Sequence, residues 1–218
     1  MRKGVDPAVL LREESLEVFV ERLAANSASP GGGSAAALSG SLGAALVSMV
    51  CRLTVGKKGY EQFEGEMQSV LPRSEALRDS LIKAIDVDAA AFDRVMEAFA
   101  LPKGTEEEKA TRSAAIQTAF RGACESPRKT AQHCLETLRL CALIVEKVNV
   151  NAISDIGVGA TQALAGLEGA AMNVLINLPS IKDASYVEEV ANEVQEMQEE
   201  GRILKSTVLR EVIAQIEG

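Results

Sequence analysis

Tryptophan is absent from this chain, aromatic residues make up 3% of it, and His133 is the single histidine. A nucleic-acid reader normally carries exposed aromatics and a basic excess. Here Asp+Glu number 31 against Lys+Arg 23, a formal net charge of -8, so that class is excluded. The acidic balance does not exclude an anionic small ligand, because local charge decides that. The four cysteines, Cys51, Cys124, Cys134 and Cys141, form no C-x-x-C pair. With one histidine they make no credible zinc set, so no metal is expected. They read as buried, reduced thiols of a cytoplasmic protein. Alternating β-branched runs bounded by Asn-Gly or Asp-Gly turns are missing too, which removes the signals for strands. The start, Met1 to Pro7, is basic but lacks the apolar stretch of a signal peptide.

Charge is also missing locally. From Gly31 to Val50 no residue is charged. The stretch is long enough to span a membrane. Its content is mostly Ala, Gly and Ser, with little to gain from lipid, so no membrane span is expected. It opens with Pro30-Gly31-Gly32-Gly33-Ser34. Three glycines at a helix start leave backbone N–H groups approachable by a ligand. The Ala/Gly/Ser run that follows suits close helix packing.

With 218 residues and 47% hydrophobic content, the chain is long enough for one large domain with a sizeable core. The periodicity predicts an all-α bundle of long helices in a single domain over residues 1–218. Helices are expected over about 15–25, 33–54, 72–99, 105–123, 126–148, 154–177 and 183–216. Pro72 is placed in the first turn of a helix starting near Val70, and Ser126-Pro127 is placed at a helix start. Thr105 followed by Glu106-Glu107-Glu108 reads as an N-cap with acids at the positive helix end. The small-residue faces of the 33–54 and 155–177 helices are expected to join two copies in a homodimer.

Three groups could carry chemistry. Asp155 and Asn173 are eighteen residues apart, hence on one helix face with Gly159, Gln162 and Gly166 between them, and Asn177 extends the stripe. The alternative keeps Asp155 as a helix cap and the Asn residues bonded to backbone. Within Asp86-Val87-Asp88-Ala89-Ala90-Ala91-Phe92-Asp93, one carboxylate pointing inward among alanines would have a raised pKa suited to acid–base work. A solvated acidic face is the other reading. Arg52, Lys57, Lys58 and Lys103 could hold an anion or stand as solvated turn cations.

Several of these segments, taken in order, resemble the cyclodeaminase/cyclohydrolase family of folate enzymes. They are Pro30-Gly31-Gly32-Gly33-Ser34, Leu42 to Val50, Leu53 to Lys58, Asp86 to Phe92, Leu101-Pro102-Lys103, Asn149 to Asp155 and Asn173 to Asn177. Gly59 departs from the pattern, where a third lysine is expected. The resemblance implies an all-α fold, a homodimer and a folate site in a cleft. It implies methenyltetrahydrofolate cyclohydrolase activity, with formiminotetrahydrofolate cyclodeaminase as the alternative. A non-catalytic helical scaffold is the competing class. Under the resemblance Asp86 or Asp155 serves as acid–base, and Lys57 and Lys103 hold the glutamate tail or orient water. Gly31, Gly32, Gly33 and Ser34 meet the pterin or a carboxylate. Asn151 and Asn177 pair with the pterin edge. No cofactor beyond the folate substrate is implied.

Overall fold

The computed structural model describes residues 10–218. The readings of Met1 to Pro7 lie outside them. The described residues form six α-helices and no strand: α1 Leu16–Leu23, α2 Gly32–Thr54, α3 Glu64–Ala100, α4 Glu106–Ile144, α5 Ile153–Leu175 and α6 Ala184–Glu217. Caps start several of them. Ser15 accepts from Val18 N at 3.3 Å and Asp183 from Tyr186 N at 3.1 Å. Thr105 and Glu108 form a capping box, each side chain accepting from the other's backbone N–H at 3.2 and 3.0 Å.

α2 lies between α3 and α5, α4 touches all three, and α6 lies along α4 and α5. Fully buried Met67, Leu81, Leu138, Ile144, Ile156 and Leu167 come from three of these helices. Each contributes roughly 1.5–3 kcal/mol by leaving water. α2 is apolar enough and long enough to cross a membrane, yet most of it is buried inside this bundle.

The α2–α5 seam is built on absent side chains. A Cβ on Gly43 would lie 2.8 Å from the Gly159 carbonyl oxygen. One on Gly166 would lie 2.8 Å from the Ala36 carbonyl oxygen and the Gly40 nitrogen. The glycine stripe of α5 therefore faces α2 of the same subunit. This corrects the assignment of these small faces to a dimer contact, since close backbone approach already consumes them. The two helices run antiparallel. Gly32 lies beside Asn173, whereas Asn149 at the other end donates from its Nδ2 to the Leu53 carbonyl at 3.1 Å.

Two prolines sit where the sequence reading put helix starts. α3 begins at Glu64 and runs through Pro72, and α4 runs unbroken through Pro127. An interior proline leaves the carbonyl four residues earlier without its N–H. For Pro127 that carbonyl is Ala123's, and Asn177 Nδ2 donates to it at 3.3 Å. A long-range side chain thus replaces the missing backbone bond, which local pattern cannot reveal. Pro72 is exposed at the bundle surface.

All four cysteines are buried and free. Burial pushes the thiols of Cys134 and Cys141 up to about 12, and those of Cys51 and Cys124 up to about 11. They are packing groups, not nucleophiles.

Candidate functional site

The first turn of α2 forms one wall of a cavity of about 440 Å³. Gly31 and Gly32 face it from α2, Asp88 and Phe92 from α3, Phe120 from α4, and Asn173 and Asn177 from the end of α5. The volume is within the usual range for a small-molecule site. Phe99 and Phe120 meet edge to face at 6.0 Å and give the cavity an aromatic side suited to a flat ring.

The glycines are there for space. Gly31, the N-cap, has an extended backbone (φ -129°, ψ -158°). Positive φ among the described glycines occurs at Gly56, Gly59 and Gly218, not in this run. A Cβ on Gly33 would collide with the Asp88 carboxylate, and one on Gly32 would lie 3.3 Å from Asn173 Nδ2. The absent side chains let Asp88 settle against the positive end of α2.

Asp88 is the only charged residue lining the cavity among the described residues. Burial raises its pKa above the ordinary carboxylate value, while the backbone N–H and hydroxyl of Ser34 partly oppose the rise. Ser34 itself is buried and donates its hydroxyl to the Ile85 carbonyl at 3.0 Å, tying α2 to α3.

The two asparagines add acceptors. Asn173 Nδ2 donates to the Gly169 carbonyl at 2.8 Å. Asn177 Nδ2 donates to the Asn173 carbonyl at 2.8 Å and to Ala123's. A carbonyl only accepts, so each amide nitrogen is assigned and each Oδ1 is left over. No donor among the described residues reaches either Oδ1. A carboxylate and two amide oxygens thus meet in one cavity that no cation among the described residues lines. Such a wall suits a ligand that is cationic or rich in N–H donors.

The inward carboxylate of the Asp86–Asp93 stretch is Asp88, not Asp86. Asp86 accepts from the Arg12 guanidinium at 2.6 Å, on another face of α3. Two residues along a helix turn the side chain by about 200°, so one of the pair had to face away. Asp155 lies in the first turn of α5, half-buried. Lys57 and Asn151 are exposed near it, at the Thr54 end of α2. That end is roughly 34 Å from Gly32 along a 23-residue helix. Lys103 is exposed in the loop after α3, four residues past Phe99. The single chain therefore brings together Gly31, Gly32, Gly33, Ser34 and Asn177, and leaves Lys57, Asn151 and Asp155 at the far end.

Sequence reasoning placed Asp88 and Asn173 in its candidate groups but chose Asp86 or Asp155 as acid–base and gave Asn173 no role in the site. A signal for the first was present. Asp88, Phe92, Val95 and Phe99 follow i, i+4, i+7, i+11 spacing, a single carboxylate on an otherwise apolar stripe, and all four line the cavity.

Fold and site define an all-α domain with an acceptor-lined, singly anionic cavity at a glycine-rich helix start. The chain belongs to the formiminotransferase-cyclodeaminase family, whose sequence model matches residues 15–196. It is 43% identical over 203 residues to methenyltetrahydrofolate cyclohydrolase of Methylorubrum extorquens, covering 93% of this chain and 98% of that protein. It is 34% identical over 203 residues to formimidoyltransferase-cyclodeaminase of Mus musculus, covering 93% of this chain and 38% of that longer protein. Its fold is similar to the crystal structure of formiminotetrahydrofolate cyclodeaminase from Thermotoga maritima, with a TM-score of 0.84 at 27% identity, covering 94% and 99% of the two chains.

Proposed function

We propose that this protein is a methenyltetrahydrofolate cyclohydrolase, which hydrolyses 5,10-methenyltetrahydrofolate to 10-formyltetrahydrofolate. The observation that carries it is the 43% identity to a cyclohydrolase matched over 98% of its length. The cavity fits the reading. The methenyl group is a cationic amidinium held between two folate nitrogens, and an acceptor-lined, anionic wall favours it electrostatically. Asn173 and Asn177 present acceptors to pterin N–H groups, and the bare amides of Gly31 to Gly33 let the ring approach. Lys103, near the cavity's aromatic rim, pairs with the carboxylates of the glutamate tail. The reaction needs water and a group that moves a proton, and no metal or further cofactor.

The substrate's strong absorbance disappears on ring opening, which gives a direct assay. The purified protein should consume methenyltetrahydrofolate well above the spontaneous rate and release little ammonia from a formimino substrate. Faster turnover of the formimino substrate would make it a cyclodeaminase instead. Inactivity toward both would leave the scaffold reading.

A second copy completes the reading. The outer faces of α2 and α5 expose Leu42, Leu53, Val158 and Met172 side by side. No charge occurs from Gly31 to Cys51 on α2 or from Ile156 to Leu167 on α5. A long uncharged face of this kind is self-complementary across a two-fold axis. With the axis across the helices, the Lys57 and Asn151 end of one protomer covers the Gly32 end of its partner. That would bring the motif residues left at the far end to the folate. The buried thiols suit a reducing compartment, and we place the reaction in the cytoplasm.

A further inference from the structure

We infer that Asp88 is the group that moves the proton in this reaction, an inference that rests on the cyclohydrolase reading. Three observations converge on it. It is the one charged side chain on the cavity wall among the described residues. It is held by the structure and not merely present, because the space that a Cβ on Gly33 would fill is occupied by its carboxylate. And burial beside the cavity outweighs the Ser34 donors in setting its proton affinity.

Those neighbours can be taken helix by helix. α2 carries no charge near it, and offers the Ser34 N–H and hydroxyl. From α5, Asn173 and Asn177 bring acceptor oxygens; both Asn177 N–H groups are taken by backbone carbonyls, and Asn173 keeps one N–H beyond its bond to Gly169. α4 contributes Phe120 and Ala123. On α3 the nearest charge is Asp86, already paired to Arg12. Burial thus outweighs the donors, and the carboxyl sits above its ordinary range. A proton carrier works best when its affinity approaches the working pH, so this direction is the useful one.

The step balances as follows. A water oxygen bonds to the methenyl carbon, and one water proton passes to the Asp88 carboxylate, leaving a neutral tetrahedral adduct. The carbon–N5 bond then breaks. Its electron pair stays on N5, which takes the proton back from Asp88. The adduct's hydroxyl becomes the formyl carbonyl as its proton passes to the same carboxylate and on to solvent. One water is consumed and one proton is released, as the conversion of a cation to a neutral formyl amide requires. Ser34 acts as a positioning residue, fixing Asp88 against α2.

The test compares wild type, Asp88→Asn and Asp88→Glu by kcat, KM and pH profile. Loss of a general acid–base costs about 10²–10⁴-fold, so Asp88→Asn should lower kcat by at least about a hundredfold with KM within about threefold. Wild-type kcat should rise with pH as Asp88 loses its proton, and the Asn variant should lack that limb. Asp88→Glu should recover part of the rate with the limb moved. An Asn variant turning over within about threefold of wild type would overturn the assignment and leave the cyclohydrolase reading standing. So would the same loss of kcat found at Asp86→Asn instead. A wild type inactive on methenyltetrahydrofolate removes both. If the Asn variant loses its cooperative melt, the Glu variant decides, and an unmoved pH limb overturns the role.

Discussion

Asp88 and Asp86 sit two residues apart and have opposite physical fates. Asp88 is half-buried against a helix N-terminus, facing the cavity, and its pKa is raised. A raised folded-state pKa means that the folded chain binds the proton more tightly than the unfolded one. Its contribution to stability is fully present below the unfolded value near 3.9 and is lost as pH rises through the folded value. At neutral pH the carboxylate therefore costs stability. Asp88→Asn should raise the melting temperature at pH 7, and the gain should vanish near pH 3.5. Calorimetry at the two pH values checks this, and a lower melting temperature at pH 7 would mean that the carboxylate mainly caps α2. Asp86 is paired with Arg12, its side chain 15% exposed and the arginine's 29%. Pairs of this kind contribute about 0–1 kcal/mol. Asp86→Asn should lower the melting temperature slightly and leave turnover within about threefold of wild type, as a steady-state assay would show.

At the scale of elements, glycine serves two purposes along the α2–α5 pair, and substitution separates them. Gly166→Ala would press a methyl into the Ala36 and Gly40 backbone. Overpacking of this kind costs about 1–3 kcal/mol and should lower the melting temperature with little change in KM. Gly32 is exposed toward the cavity, and its hypothetical Cβ meets only the tip of Asn173. Gly32→Val should instead raise KM strongly while the fold holds, because the branched side chain takes the substrate's place. The two variants measured together decide the matter. A Gly32→Val protein that melts much earlier yet binds folate normally in the cold would make the loop a packing device.

The whole molecule presents one long uncharged face, with cavity residues at one end and the Lys57 group at the other. Sedimentation should show a dimer at micromolar concentration, and a stable 23 kDa monomer would remove the paired-subunit proposal. The axis direction has its own consequence. Asp88→Asn and Lys57→Ala protomers, each inactive alone, should regain about a quarter of wild-type activity when mixed and allowed to exchange, since half the dimers then hold one intact site of two. No recovery on mixing would place Lys57 outside the partner's cavity.

Much of this protein was legible in one dimension. The 3.6-residue period located the helical segments, because amphipathic spacing is a local property, but α4 was read as two helices and α3 as starting near Val70. The Thr105 capping box, the glycine run beside the α2 start and the α5 stripe from Gly159 to Asn173 all lie within single segments, and the structure bears out each as an element. The tertiary structure decided what depends on distant partners. Arg12 took Asp86 out of the cavity, and Asn177 let α4 continue through Pro127 by meeting the Ala123 carbonyl. The glycine stripe went to the α2–α5 seam inside one subunit and not to a second copy. Helix period tells which residues share a face, but only the packing of remote segments settles what that face meets, and with it which carboxylate is left to face the ligand.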